Sequence, residues 1–229
     1  MFKTIFFRNK NLSNITRLFL SRSKLLKIEP ECTPGRQEYS MFNSGGVETE
    51  TGEFLYGFVR MTKPSRILET GTHKGISSMY MAKALEENKK GHLLTLELFQ
   101  ENINEAAALW AEMDVQGRIT CLKQSSLEYK LEGQVDLLFL DSEPQHRFDE
   151  FVNFYPRLKP GGFIFIHDLH PNLGRDAAQG HWADFREKIG VWMKDHSLQT
   201  FTFRTPRGFT VFQKAAPDFS HTAHLRLAS

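Results

Sequence analysis

The stretch that most constrains the fold reads ILETGTHKG and covers residues 67–75. In it, a short apolar run ends in an acid, Glu69, and two glycines follow four residues apart. Residues 76–85 then carry apolar side chains at the spacing of one helix face. A strand, a glycine turn and a helix make the first half of a βαβ unit, so the stretch predicts the start of an α/β fold.

The two glycines of this turn have separate expected tasks. Gly71 has no Cβ, which lets the chain turn tightly and come close to a ligand. Gly75 lets the start of the helix pack against the strand, and the open amides of that helix start favour polar or anionic groups. The pattern differs from the dinucleotide motif G-x-G-x-x-G, because Thr72 and Lys74 stand where glycines would be needed.

A second acid closes the next predicted strand. Residues 92–98 read HLLTLEL, and the strand ends in Glu97. A carboxylate at this tip lies across the crevice from the glycine turn, where it can accept hydrogen bonds from both hydroxyls of a ribose. Such charge-assisted bonds contribute roughly 1.5–3 kcal/mol each. The position therefore predicts a carboxylate that binds a ribose.

With these features the chain resembles the class I methyltransferases that use S-adenosylmethionine (SAM). Residues 50–75, ETGEFLYGFVRMTKPSRILETGTHKG, look like the catechol and caffeoyl-CoA O-methyltransferase group, in which a helix with G-x-F-L precedes the strand and turn. The resemblance implies SAM as the cofactor, and the alternative is a Rossmann-like turn used only for packing. The residues expected to bind the cofactor are Val47, Glu69, Gly71, Thr72, Gly75, Ser77, Glu97, Ser126 and Asp141.

The rest of the chain predicts how the sheet continues. Strand and helix patterns alternate from residue 66 to residue 168, which is typical of a parallel sheet with helices on both faces. Residues 199–204 and 209–214 read as two strands joined by a short Pro/Gly turn. We therefore expect an α/β fold: a doubly wound, Rossmann-like, mostly parallel seven-stranded sheet closed by a C-terminal antiparallel hairpin.

The expected domain covers residues 47–215. It follows a basic N-terminal arm and loop at residues 1–46 and precedes a tail at residues 216–229. Within these bounds, residues 29–46 read as an irregular loop and residues 125–130 as a short helix.

Four acids fall at the carboxyl ends of predicted strands, where open α/β sheets bind their ligands. They are Glu69, Glu97, Asp141 and Asp168. Any single one could instead cap a helix, which is the commoner role for an acid after a strand. Four together would place substantial negative charge in one crevice, and a sulfonium cofactor or a divalent metal would neutralise it.

The resemblance also implies a reaction, the transfer of a methyl group from SAM to an oxygen. In the resembling group Asp141 and Asp168 would hold Mg²⁺, which binds the hydroxyls of the substrate and lowers their pKa. This chain departs from that pattern in two places. It has Leu169 where the group has Asn, and Pro144 where the group has Lys. Metal assistance and a catechol-like substrate are therefore open.

Histidines offer another route to a base. His146, His167 and His170 fall near the predicted mouth of the crevice, and imidazole titrates near neutral pH. Together with Asp141 they are the candidate catalytic residues, as a general base or as ligands of a softer metal. The alternative is that His167 and His170 are hydrogen-bonded loop residues.

The charge distribution bears on the partners. The first 28 residues carry seven bases and no acid, so the remaining chain has a net charge of −5. A mildly acidic domain is a poor candidate for nucleic-acid binding, and we expect a small-molecule hydroxyl acceptor. The basic arm could pack on the domain, join two copies in a homodimer or lie on an anionic membrane surface, and its Arg- and Ser-containing start also resembles an organelle transit peptide.

Two further readings of function stay open: an RNA or protein methyltransferase on the same fold, and a non-catalytic module that binds SAM or a nucleotide. The sequence has no secretory signal and no apolar run of 18 residues. Its two cysteines, Cys32 and Cys121, are far apart and form no motif, which favours a cytoplasmic location. Specificity would reside in loops, at residues 29–47, 142–147 and 171–180.

Overall fold

A computed structural model describes residues 12–30, 38–43, 45–169, 180–196 and 198–216. His170 and Cys32, and most of the predicted tail and of the loop at 171–180, lie outside the described residues. The helices are α1 Asn14–Arg22, α2 Thr49–Thr62, α3 Ile76–Asn88, α4 Gln100–Glu112, α5 Arg147–Phe154 and α6 His181–Trp192. The strands are β1 Ile28–Pro30, β2 Ser40–Phe42, β3 Arg66–Thr70, β4 His92–Glu97, β5 Ile119–Lys123, β6 Val135–Leu140, β7 Leu158–His167, β8 Leu198–Phe203 and β9 Phe209–Lys214.

Seven strands form one sheet in the order β5-β4-β3-β6-β7-β9-β8. The first five run parallel, whereas β9 pairs antiparallel with β7 and with β8. The chain therefore crosses over from β4 and β5 to β6 on the other side of β3, and this reversal opens a crevice at the carboxyl ends of the strands. The predicted fold class is confirmed.

Both faces of the sheet are covered, because neighbouring residues of a strand point to opposite faces. Leu137 and Phe139 of β6 belong to the core that α2, α3 and α4 cover. Leu138 and Leu140 belong to the core that α5 and α6 cover. The continuous apolar run of β6 is what a strand buried on both faces requires.

Helix α1 packs on the α2–α3 side of the domain. Phe19 is buried and meets Tyr80 of α3 edge-on, with ring centroids 4.9 Å apart. Thr16 shares a 2.7 Å hydrogen bond with the hydroxyl of the same tyrosine and donates to Glu53 of α2. Residues 14–22 thus lie against the domain itself. In the part of the chain that is described, no helix has the length and apolar character needed to cross a membrane.

Two local predictions were wrong. The stretch at residues 29–46 contains a short antiparallel pair, β1 and β2, because burial of Met41 and Phe42 fixes it against the domain. No helix forms at residues 125–130: Glu128 and Tyr129 donate to the Ser125 carbonyl and close a single turn. Leu131 is buried immediately afterwards, so the chain leaves the turn to reach the core.

Candidate active site

A cavity of about 460 Å³ opens at the carboxyl ends of the parallel strands, where the order of the sheet reverses. Its size is that of an ordinary small-molecule site, roughly 300–1,000 Å³. Of the residues predicted for the site, the cavity is lined by Val47, Gly71, Thr72, Ser77, Glu97, Ser126, Asp141, His146 and Asp168. Glu69, Gly75 and His167 lie behind its wall.

Glu97 is held in one orientation at the tip of β4. Its Oε1 accepts hydrogen bonds from the amides of Leu98 (2.8 Å) and Phe99 (3.0 Å), and its Oε2 accepts one from the amide of His73 (2.8 Å). The side chain is nevertheless in contact with the cavity. Three backbone donors therefore fix a carboxylate whose remaining lone pairs can accept from a ligand.

The structure shows what each glycine of the turn packs against. At Gly71, where φ is +80°, a Cβ would lie 2.3 Å from the carbonyl oxygen of Asp141. At Gly75, where φ is +73°, a Cβ would lie 2.7 Å from Ala106 and from the indole nitrogen of Trp110. Gly71 thus closely approaches the chain after β6 and also lines the cavity, whereas the close approach at Gly75 is to α4 rather than to the strand.

Glu69 lies beneath the turn, fully buried, and its expected contact with a cofactor does not match this position. It accepts hydrogen bonds from the hydroxyls of Ser77 and Ser78 in the first turn of α3. Burial raises the pKa of Glu69 to about 7, although the serine hydrogen bonds act against the rise. The side chain positions the start of α3, and through it Ser77, which does line the cavity.

Hydroxyl groups complete this part of the wall. Thr72 shares a 2.6 Å hydrogen bond with Thr95 of β4. Ser126 donates to Oε1 of Glu150, and Thr70 donates to Oε2 of the same carboxyl. Burial raises the pKa of Glu150, which is fully enclosed. These bonds orient the side chains of Thr72 and Ser126 at the cavity surface.

His167 is a buried cation in this arrangement and not the general base that the sequence suggested. Its Nε2 lies 2.8 Å from Oε2 of Glu48, and its Nδ1 lies 3.1 Å from Oδ1 of Asp141. Burial alone would lower the pKa of His167, but the charges of Asp141, Asp168 and Glu48 raise it to about 10. An imidazolium at neutral pH has no free lone pair with which to take a proton.

Glu48 is the counterpart of this cation. Burial alone would raise the pKa of Glu48, but the charge of His167, its hydrogen bond and the charge of Arg207 hold the pKa well below its usual range. Glu48 directly precedes α2, and Thr51 donates to it within the first turn of that helix. The start of α2 is thereby joined to the end of β7.

Two buried arginines face the same acids. Arg147, at the start of α5, lies 3.2 Å from Oδ1 of Asp141 and donates to the carbonyl of His167. Arg207, between β8 and β9, lies 3.5 Å from both Glu48 and Asp168 and donates to the carbonyl of Gly46. Both guanidinium groups are therefore fixed by contacts to side chain and backbone.

The resembling group implies a divalent metal at Asp141 and Asp168, and the spacing here would allow one. One atom each of Asp141, His167 and Asp168 lie within 4.8 Å of one another. The donor set does not fit, however, because His167 directs its two nitrogens to carboxylates and Arg147 contacts the Asp141 oxygen. Mg²⁺ prefers oxygen ligands that are free to coordinate it.

Four residues of this site were missed by the sequence reasoning: Glu48, His73, Arg147 and Arg207. His73 lies inside the glycine motif, at a φ of +46°, and lines the cavity. Burial, together with the charge of Lys74, lowers the pKa of His73, so its imidazole is neutral at pH 7. Its place in the motif could have drawn attention to it, whereas the contacts of the other three become apparent only in the folded chain.

Asn43 and the neighbouring residues 45–47, which line the cavity, are held by contacts from several elements. Lys74 donates to the carbonyl of Asn43 at 3.0 Å, and Arg207 donates to that of Gly46. The Cε1 of His73 lies 3.1 Å from where a Cβ of Gly45 would be. The segment is thereby tied both to the glycine turn and to the C-terminal hairpin.

Residues 68–169 match the family described as a methyltransferase domain. A relative from Mycobacteroides abscessus, whose name gives its O-methyltransferase activity as an inference, is 27% identical over 128 residues. The aligned part is 54% of this chain and 59% of that relative. The chain thus spans little more than half the length of the curated relatives that it matches.

Solved structures agree with this at the level of the fold. The O-methyltransferase TomG from Streptomyces achromogenes, solved with SAM, superposes with a TM-score of 0.61 at 19% identity, covering 75% of this chain and 82% of that one. A methyltransferase from Podospora anserina, bound to S-adenosylhomocysteine (SAH), gives 0.64 at 19% identity, covering 72% and 77%. The chain therefore has the Rossmann-like fold that these methyltransferases share, and its residues 68–169 match the methyltransferase domain family.

Proposed function

We propose that the chain transfers the methyl group of SAM to a hydroxyl of a small molecule. The observation that carries the proposal is Glu97, a carboxylate fixed by three backbone amides at the rim of a cavity that also borders the glycine turn. The O-methyltransferases of Streptomyces achromogenes and Bacillus cereus, solved with SAM and SAH, support SAM as the cofactor.

The residues around the cavity suit the parts of this cofactor. SAM supplies a methyl group on a positively charged sulfur, which makes the methyl electrophilic. Glu97 would accept from the ribose hydroxyls, and Thr72 and Ser77 offer hydroxyl groups to the polar amino-acid end. Ser126 also lines the cavity, and in the resembling family the residue at this position lies beside the adenine. Asp141 lines the cavity next to Gly71 of the turn, and we propose that the acceptor occupies the space beyond it.

That remaining space would hold the acceptor. His73, His146 and Asp141 all line the cavity, so a hydroxyl placed there has both a neutral imidazole and a carboxylate within reach of its proton. Holding the oxygen in line with the methyl group is the larger task, because positioning of the reactants can lower the barrier by roughly 7–11 kcal/mol. We propose His73 or His146 as the group that accepts the proton.

Isothermal titration calorimetry with SAM and with SAH tests the proposal. We expect binding of both, and we expect Glu97→Ala to weaken it at least about tenfold, because one or two bonds to a charged acceptor are lost. Glu101→Ala is the matched control, since Glu101 is an exposed acid in the first turn of α4. Unchanged affinity in Glu97→Ala would refute the ribose role, and no binding by the native chain would refute the proposed function.

A further inference from the structure

We infer that Glu48, Asp141 and Asp168 form a cluster of ion pairs with Arg147, His167 and Arg207, and that this cluster replaces a divalent metal. The consequence for the reaction rests on the proposed function: the acceptor hydroxyl is positioned and deprotonated by side chains, without a metal ion. Binding of the acceptor would require no pair of adjacent hydroxyls to chelate an ion.

The first observation concerns His167. Its two ring nitrogens lie 2.8 Å and 3.1 Å from carboxylate oxygens of Glu48 and Asp141. A carboxylate accepts but does not donate, so each nitrogen has to carry a hydrogen. A doubly protonated ring has no lone pair for a metal. His167 is therefore a cation in the place where a ligand would be needed.

The second observation concerns the oxygen that a metal would share with this histidine. Oδ1 of Asp141 receives both His167 and Arg147. Arg147 is fully buried and also donates to the carbonyl of His167 (3.3 Å) and to the hydroxyl of Ser142 (3.3 Å). Its guanidinium cannot turn away from Asp141 without leaving these acceptors unmatched, so it blocks an entering ion.

The third observation concerns Asp168. Its Oδ1 is buried and has no hydrogen-bond partner within the described ranges, yet two cations face it: Nε of Arg207 at 3.5 Å and Nδ1 of His167 at 3.6 Å. Leu169, the next residue, is buried and offers no ligand atom. The positive charges that stabilise the Asp168 carboxylate are therefore those of Arg207 and His167.

The charges of the cluster balance. Three carboxylates, from Glu48, Asp141 and Asp168, face three cations, from Arg147, His167 and Arg207. A divalent ion would add two positive charges next to three cations that already pair with these acids, and repulsion between like charges is unfavourable where Asp141 and Asp168 are only 15% and 28% exposed. The cluster thus excludes the ion by charge as well as by occupancy of the ligand atoms.

Electron paramagnetic resonance of Mn²⁺ tests the inference without any assay of activity. With purified full-length protein, we expect the signal of free aqueous Mn²⁺ to be unchanged at a twofold excess of protein, with or without SAH. Stoichiometric loss of that signal, restored in Asp168→Asn, would overturn the inference. Calorimetry with SAH on the same preparation reports on the proposed function separately, since SAH binding can fail while Mn²⁺ is still excluded.

Variants that remove one cation give the converse test. Arg147→Met and Arg207→Met leave an acid uncompensated, and we expect at least tenfold tighter Mn²⁺ binding than in the native protein. Lys159→Met is the control, because it breaks an ion pair with Asp136 away from the cavity and should leave Mn²⁺ unbound. Circular dichroism identifies a variant that fails to fold, in which case Mn²⁺ binding by the other arginine variant tests the role of the cations. Folded arginine variants that still exclude Mn²⁺ would refute the role given to the cations.

Discussion

Replacement of Gly71 by alanine tests how the glycine turn supports the site. The backbone at this residue has a φ of +80°, a region that costs an L-residue roughly 1–2 kcal/mol. The new Cβ would also lie 2.3 Å from the carbonyl oxygen of Asp141 and 2.6 Å from its carbonyl carbon. Ordinary contact is about 3.5 Å, so either the glycine turn or the segment that contains Asp141 has to move by about 1 Å.

The magnitude follows from these two terms. Overpacking of a rigid site costs typically 1–3 kcal/mol, which brings the expected loss in the free energy of unfolding to about 2–5 kcal/mol. Urea denaturation followed by circular dichroism measures it. Because the displaced chain carries Asp141, calorimetry with SAH should also show weaker binding in any fraction that folds.

Gly57→Ala is the matched control for this experiment. Gly57 lies in α2, and a Cβ there meets no atom within 4 Å. Alanine at an exposed helical position should stabilise the protein by roughly 0.5–1 kcal/mol. If Gly71→Ala changes the free energy of unfolding by no more than the control does, the close approach between the turn and Asp141 does not constrain the site as argued.

Three further predictions follow from the same contacts. The pKa of His167 is raised to about 10 from its ordinary 6.5, so the contribution of this histidine to stability is complete below pH 6.5 and is lost as the pH rises towards 10. Urea titrations should therefore show the free energy of unfolding of the native protein falling between pH 7 and pH 10. The fall should be absent in His167→Gln. Trp110→Phe removes the 3.0 Å hydrogen bond to the carbonyl of Gly75 and should cost about 1 kcal/mol of stability, while an unchanged urea midpoint would speak against that bond. If His73 accepts the proton, the rate of methyl transfer should increase with pH. Because the pKa of His73 is lowered from its ordinary 6.5, half of the maximal rate should be reached at a pH under that value. A pH profile that is unaltered in His73→Gln would exclude His73 as the base.

The sequence predicted the sheet well because its signals are local. Alternating strand and helix patterns, the apolar run of β6 and the Pro/Gly turn before β9 each follow from residues adjacent in the chain, and the resulting sheet matches the expected one. Glu97 could be placed for the same reason, since the end of a strand is a local feature. Its three amide donors are also near neighbours in the turn and in the next residues.

The ion cluster could not be predicted, because its members are brought together by the topology of the sheet. Glu48 and His167 are separated by 119 residues, and Glu48 and Arg207 by 159. Nothing near His167 in the sequence indicates that a second carboxylate will meet its other nitrogen. Without that partner, an imidazole beside Asp168 looks like a general base. The same limit explains Glu69, whose burial depends on how α3 sits on β3.

The contacts that hold Asn43 and residues 45–48 bear on how molecules reach the site. Lys74 secures this segment from the turn after β3, and Arg207 secures it from the hairpin at the far edge of the sheet. Leu98 and Phe99, at the other rim, are more than half exposed. We therefore expect molecules to enter and leave past Leu98 and Phe99. Opening of the C-terminal hairpin, measured by deuterium uptake at its backbone amides, should then not limit the rate of turnover.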